Sequence, residues 1–322
     1  MNNKKLCAIT GSNGYVGSCV KNYFAARGWD TFELTRRPKP NTRAAQFQLG
    51  DEISPDLLTG VDAFVHCAYD FKPLRWNEIA AVNVEGSRKI LEVARHAHIP
   101  KIIVISSISA YDGCRSLYGK AKLEIEKIAL ANGALVVRPG LVYGGGAGLR
   151  RAGVSVVGGE LSAASTTSTT ENHPASATPA GGMFGKLVAQ TRNSSVIPMI
   201  GSGRQIQFLV HQEDLCSFIE RYARGDISGQ PQILTAANEQ PWMFRQLLQQ
   251  IARAQGNRPK FIPLPWRLVW VALKSAETCG LRLNFRSDSL VSLMYQNPKP
   301  DFSAAAKIGL NCRPFEVGKL EL

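Results

Sequence analysis

One glycine spacing constrains this 322-residue chain more than any other feature. Gly11, Gly14 and Gly17 recur at intervals of three. They follow an apolar run at residues 5–10 that reads as a strand, and they open a helical pattern over residues 15–27. In Thr10-Gly11-Ser12-Asn13-Gly14-Tyr15-Val16-Gly17 the first glycine permits a tight turn. The second lets backbone approach a ligand, and the third lets helix and strand pack closely. Free amides and the positive end of a helix dipole then face whatever sits there, which suits a pyrophosphate. Glycines alone would be weak evidence, because they also simply connect strands to helices. Their place between a strand and a helix supplies the context that dinucleotide binding requires.

The rest of the first half repeats that strand–helix rhythm. Strand-like runs at 31–35, 61–68, 101–106 and 134–138 alternate with helical patterns at 77–98 and 117–131. Lys101-Ile102-Ile103-Val104-Ile105-Ser106 is β-branched and apolar, as a parallel strand covered on both faces should be. The expected fold is therefore α/β, a Rossmann-type doubly wound parallel sheet with right-handed crossovers. Residues 1–145 form its dinucleotide-binding part. Residues 146–182 are rich in Gly, Ala, Ser and Thr and read as a flexible insertion. Residues 183–322 lose the regular alternation, with helices expected at 183–192, 212–224, 242–255 and from Trp266 to about Cys279. They form a smaller substrate lobe, some of whose elements return to the sheet.

Composition closes off several classes. No stretch of 18 apolar residues occurs, and the apolar run after Met1 is too short for a signal peptide, so a cytoplasmic protein is expected. Seven cysteines lie singly and the five histidines show no ligand spacing, so reduced thiols and no metal are expected. The net charge of +13 attracts anions, but the basic residues are spread rather than clustered. An anionic small molecule, not nucleic acid, is the expected partner.

The candidate chemistry lies at Tyr118 and Lys122. Four residues apart on a helix, they share one face, and an adjacent cation brings a phenol toward the working range of an acid–base catalyst. Tyr295 and Lys299 have the same spacing, but Pro298 between them argues against a helix. What distinguishes the first pair is its position after the strand ending Ser106-Ser107, whose hydroxyls can hold a substrate oxygen. Cofactor choice is set where the second strand ends in Glu33-Leu34-Thr35-Arg36-Arg37. Thr35 stands where an acid would bind the ribose hydroxyls of NAD. Arg36 and Arg37 can instead pair with a 2′-phosphate, so NADP is favoured over NAD.

With these features the chain resembles the short-chain dehydrogenase/reductase superfamily. It is most similar to the extended NAD(P)-dependent epimerase/dehydratase branch that includes UDP-galactose 4-epimerase-like enzymes. The resemblance rests on the glycine loop, Gly50-Asp51, His66-Cys67-Ala68, Asn83-Val84-Glu85-Gly86, Arg138-Pro139-Gly140…Tyr143-Gly144 and Val210-His211-Gln212-Glu213-Asp214. It implies that Ser107 is the catalytic hydroxyl beside Tyr118 and Lys122. It also implies that Gly11, Ser12, Asn13, Gly14, Tyr15, Val16, Gly17, Asp51, Cys67, Ala68, Asn83, Pro139, Gly140 and Val142 line the cofactor, with Tyr118 and Lys122. Two departures concern the substrate. A loop between Ser107 and Tyr118 is short, and Gln207 stands where those enzymes carry an arginine for the nucleotide diphosphate, with Arg204 nearby as a substitute.

The resemblance implies an epimerase, dehydratase or reductase acting on a sugar linked to a nucleotide or another carrier. Gln207 and the apolar second half leave open a carbonyl or 3-beta-hydroxysteroid-type reductase with an apolar substrate. A non-catalytic cofactor-bound subunit of a membrane assembly is the third reading. The helix from Trp266 is apolar nearly all round and bracketed by Arg267 and Lys274. It reads as a buried helix or a homodimer contact, or as a peripheral membrane contact.

Overall fold

The computed structural model describes residues 4–144, 182–227, 232–281, 283 and 285–317. Most of the 146–182 insertion lies outside the described residues. In chain order the first part comprises β1 (Leu6–Thr10), α1 (Tyr15–Ala26), β2 (Asp30–Thr35), β3 (Ala44–Gln46) and β4 (Ala63–His66). It continues with α2 (Trp76–Ile79), a π-helical turn (Ala80–Val84), α3 (Glu85–His96), β5 (Lys101–Ile105), α4 (Leu117–Ala131), β6 (Leu135–Pro139) and β7 (Leu141–Tyr143). The second part comprises α5 (Gly182–Asn193), β8 (Val196–Ile200), β9 (Ile206–Gln207), β10 (Leu209–His211) and α6 (Gln212–Arg224). After these come β11 (Ile233–Ala236), β12 (Trp242–Met243), α7 (Phe244–Ala254), β13 (Lys260–Leu264), α8 (Trp266–Thr278), α9 (Ser287–Met294) and α10 (Ser303–Lys307).

Seven parallel strands form one sheet in the order β11-β6-β5-β4-β1-β2-β3. The strand order reverses between β1 and β4, and the crevice beyond their carboxyl ends is where such sheets bind ligands. Alternate residues of each strand feed opposite faces. Cys7, Ile9, Val65, Ile103 and Val137 pack with Val20 and Phe24 of α1 and Phe218 and Ile219 of α6. Ala8, Leu34, Phe64, Val104 and Val136 pack with Ile90 and Leu91 of α3 and Ile125 of α4.

Several expectations are corrected. The helix expected over 77–98 is broken by the π-helical turn, which carries the buried Asn83. The helix expected over 242–255 starts only at Phe244, because Trp242 and Met243 pair with Gln207 and Ile206 as antiparallel strands. Short β3 and β11 escape a pattern search. β11 joins the sheet beside β6 and extends it by one strand. α6 and α10 pack on the core of the sheet, and the other second-half elements form a small lobe. There β13 pairs with β8, and Tyr143, Phe184, Leu209, Leu247, Ile251 and Phe315 make a separate core.

Candidate active site

The glycine loop has the shape its spacing demands. Gly11 adopts φ +67°, and a Cβ there would meet the Ala68 nitrogen at 2.8 Å; a Cβ on Gly17 would meet the Gly11 carbonyl at 2.3 Å. No side chain caps α1 at Gly14, so its first amides face the crevice. Ser12 is fully buried and its Oγ has no hydrogen-bond partner. Buried polar atoms are rarely left so, and an acceptor-rich group such as a pyrophosphate would satisfy it. The cradle therefore fits a dinucleotide.

A polar string fixes the crevice floor. Thr10 Oγ1 accepts the Cys67 and Ala68 amides at 3.1 and 3.2 Å, so its hydroxyl hydrogen is free for His66 Nδ1 at 2.8 Å. His66 Nε2–H then donates to Ser87 Oγ at 2.9 Å. Burial pushes the His66 pKa down to about 3, which keeps the ring neutral. Asn13 ties the loop to β2 through Nδ2 donating to Thr35 Oγ1 at 2.6 Å. Tyr15 donates to Gln212 at 3.1 Å, while Val16 packs toward the core.

The other expected cofactor residues divide. Arg36 and Arg37 are exposed just beyond β2, with Arg36 4.0 Å from Asp70. Asp51 is exposed, and its carboxylate accepts the Gln48 amide. Asn83 directs its amide at Asp70, accepting the backbone N–H at 2.6 Å and donating to the carbonyl at 2.9 Å. It therefore holds the loop after β4. Pro139 and Val142 are buried, and a Cβ on Gly140 would meet the Phe208 carbonyl at 2.2 Å, so this stretch packs against β10.

The amino end of α4 carries Tyr118, and three acceptors satisfy its orphan amides. Asp288 of α9 accepts the Leu117 and Tyr118 N–H groups at 2.7 and 3.0 Å, and Ser116 Oγ accepts that of Gly119 at 3.1 Å. Four residues beyond Lys122, the Glu126 carboxylate accepts two bonds from Arg138 at 2.8 and 2.5 Å and one from Ser106. The helix is pinned at both ends of its working face. Ser107 hydrogen-bonds Tyr118, which lowers the phenol pKa, but burial outweighs this and pushes it up to about 12. The Lys122 ammonium donates to the Ile105 carbonyl at 2.9 Å, and burial pushes it down to about 8. Desolvation dominates at Tyr118, leaving a protonated acid hydrogen-bonded to a hydroxyl.

Sequence reasoning missed the aromatic side of the site. The Tyr69 ring lies 5.0 Å from that of Tyr118, edge to face, and 5.1 Å from Lys122 Nζ. Phe71 stacks on Tyr118 at 5.7 Å and is 57% exposed. Arg286 secures this loop from the other lobe, donating to the carbonyls of Phe71 and Pro73 at 2.5 and 2.9 Å. Two aromatics shortly after the His66-Cys67-Ala68 run were the available signal. The expected substrate residues behave differently. Gln207 is buried, its amide donating to Gln296 at 2.8 Å, and Arg204 is exposed. His211 caps α6 by accepting the Glu213 amide, and Asp214 pairs with Arg313 at 2.7 Å, so that motif ties down the segment around Arg313.

Residues 7–155 match the model of the NAD dependent epimerase/dehydratase family. A ceramide reductase of Caulobacter vibrioides is 26% identical over 268 residues, covering 80% of this chain and 73% of that protein. A decarboxylating sterol-4-alpha-carboxylate 3-dehydrogenase of Bos taurus is 32% identical over 111 residues, 33% of this chain and 31% of that protein. Among solved structures, MoeE5 in complex with UDP-glucose and NAD shares the epimerase/dehydratase fold with TM-score 0.67 at 18% identity, over 97% of this chain and 94% of that one. A UDP-N-acetylglucosamine 4-epimerase of Methanobrevibacter ruminantium gives 0.65 at 14% identity, over 96% and 93%.

Because Asp288 caps the helix that carries Tyr118, Asp288→Ala should cost about 0.5–2 kcal/mol of stability, as loss of a helix cap does. It should also lower kcat more than it raises KM. Asp288→Asn, which keeps one acceptor oxygen, should recover part of both losses. Unchanged turnover in the alanine variant would show that α4 is positioned without this cap.

Proposed function

We propose that this enzyme reduces a ketone, or oxidises the matching secondary alcohol, on an apolar, lipid-like substrate. The observation that carries the reading is the aromatic wall. Tyr69 and Phe71 flank Tyr118, and Phe71 presents an open apolar face beside the phenol. Such a wall offers apolar contact to a hydrocarbon substrate. The resemblance to proteins named as a ceramide reductase and a sterol dehydrogenase supports the same substrate class.

The glycine loop, Ser12 and the amino end of α1 would hold a nicotinamide dinucleotide, which supplies or accepts the hydride when bound. Ser107 would hold the substrate oxygen. Tyr118, protonated at neutral pH, would give that oxygen its proton in the reducing direction. The resulting phenolate would be stabilised by the Lys122 charge from the same helix face. With Lys122 at about 8, that support fades as pH rises through this value.

A carrier-linked sugar is the second reading, favoured by a fold shared with UDP-sugar enzymes over nearly the whole chain. Against it, the position expected to grip a diphosphate is the buried amide of Gln207. Thr35, Arg36 and Arg37 support NADP over NAD, since no acid stands there and two exposed guanidiniums follow.

Two measurements test this function. Reduction of long-chain or steroidal ketones should fall above about pH 8, and Tyr118→Phe should lose about 10²–10⁴ in rate while binding cofactor normally. Activity on UDP-sugars alone, or a fully active phenylalanine variant, would refute the reading. In titrations of the purified protein, NADPH should bind more tightly than NADH, and Arg36→Ala/Arg37→Ala should remove the difference. Tighter NADH binding in the wild type would contradict the NADP preference.

A further inference from the structure

The outer surface of α8 is not core. Among its residues only Glu277 is buried, while Leu268 is 68% and Val271 53% exposed. The opposite face, Trp266, Val269, Trp270 and Leu273, is half-buried, and Trp266 meets Tyr295 edge to face at 5.9 Å. The expectation of a buried helix therefore fails on one side. Beyond α8 the connection to α9 adds Leu281, 59% exposed, and Leu283, also exposed. That connection ends at Arg286, whose bonds to Phe71 and Pro73 join it to the open aromatic edge of the site.

Charge decides what such a face fits. Arg267 is exposed on α8, Lys274 lies one turn from its end, and Lys260 is exposed on β13. The joined loop contributes exposed Lys72 and Arg75, together with Glu78, which caps that loop's amides. Of the other acids, Asp70 accepts the Lys72 amide and lies 4.0 Å from Arg36, and two more act within the fold. Glu277 accepts from the Ser287 amide and hydroxyl at 2.7 Å each and lies 3.8 Å from Lys274, and Asp288 caps α4. An apolar helix face rimmed by cations is complementary to an anionic bilayer surface. A second copy of the same face would set like charges against each other.

We propose that Leu268, Val271, Leu281 and Leu283 insert into the surface of an anionic bilayer, with the Phe71 edge of the site turned toward the lipid. The face sits shallowly, since among the described residues no helix is long and apolar enough to cross a membrane. The orientation toward the site deepens the apolar-substrate reading. The docking itself rests on α8 and its rim.

Sedimentation of the full chain with vesicles tests it. The protein should pellet with phosphatidylcholine vesicles containing phosphatidylserine, stay in solution with phosphatidylcholine alone, and be released by high salt. Leu268→Glu/Val271→Glu, which changes exposed positions away from Tyr118, should abolish pelleting yet keep turnover of a short, water-soluble ketone. Failure of the wild type to pellet overturns the proposal, as does pelleting unchanged by the double substitution. A wild-type dimer in sedimentation velocity that the same substitution dissociates, without vesicle binding, assigns the face to a second copy and overturns it too. Vesicle binding with no turnover of any apolar ketone leaves docking standing and removes only the substrate reading.

Discussion

The buried carboxylate of Glu126 holds the working face of the molecule together. It receives two bonds from Arg138 at the end of β6 and one from Ser106 at the end of β5. A carboxylate with 3% side-chain exposure is tolerable only because its partners offset the lost hydration. Removing one partner of such a pair costs about 3–5 kcal/mol, because the other charge is left buried. The geometry that satisfies Glu126 also fixes α4 against two neighbouring strands. Lys122 lies one turn before it, and Tyr118 two turns before it.

The second anchor comes from the other lobe. Asp288 reaches from α9 to the first amides of α4, and Arg286 reaches from the same segment to the loop bearing Phe71. Two residues apart in sequence, these side chains seat both the phenol and the aromatic wall beside it. A shift of α9 would therefore change the site without touching the glycine loop.

Where chemistry depends on local spacing, the sequence was legible. The glycine loop, the apolar strands β1 and β5, and the Tyr118–Lys122 interval each follow from a period or a turn requirement, and the parallel sheet follows from alternation. What stayed hidden depends on distant partners. Nothing adjacent to Asp288 marks it as a cap for a helix 170 residues earlier. The two-residue β9 and β12 have no pattern of their own and exist by pairing with each other. Asn83 and His211, motif residues both, bond to backbone of the protein itself: one holds the loop after β4, the other caps α6. Burial around the phenol was not legible, because spacing places Lys122 but shows nothing of what packs over Tyr118.

Hydride transfer to a carbonyl carbon beside Tyr118 is the step we propose. It is tested most directly with reduced cofactor carrying deuterium at nicotinamide C4, a long-chain ketone and mass spectrometry of the product. The account predicts one deuterium on the former carbonyl carbon when the transferred face is labelled, with the oxygen-bound proton drawn from solvent through Tyr118. Product formed without label from either face, or formed equally well without added cofactor, would contradict it.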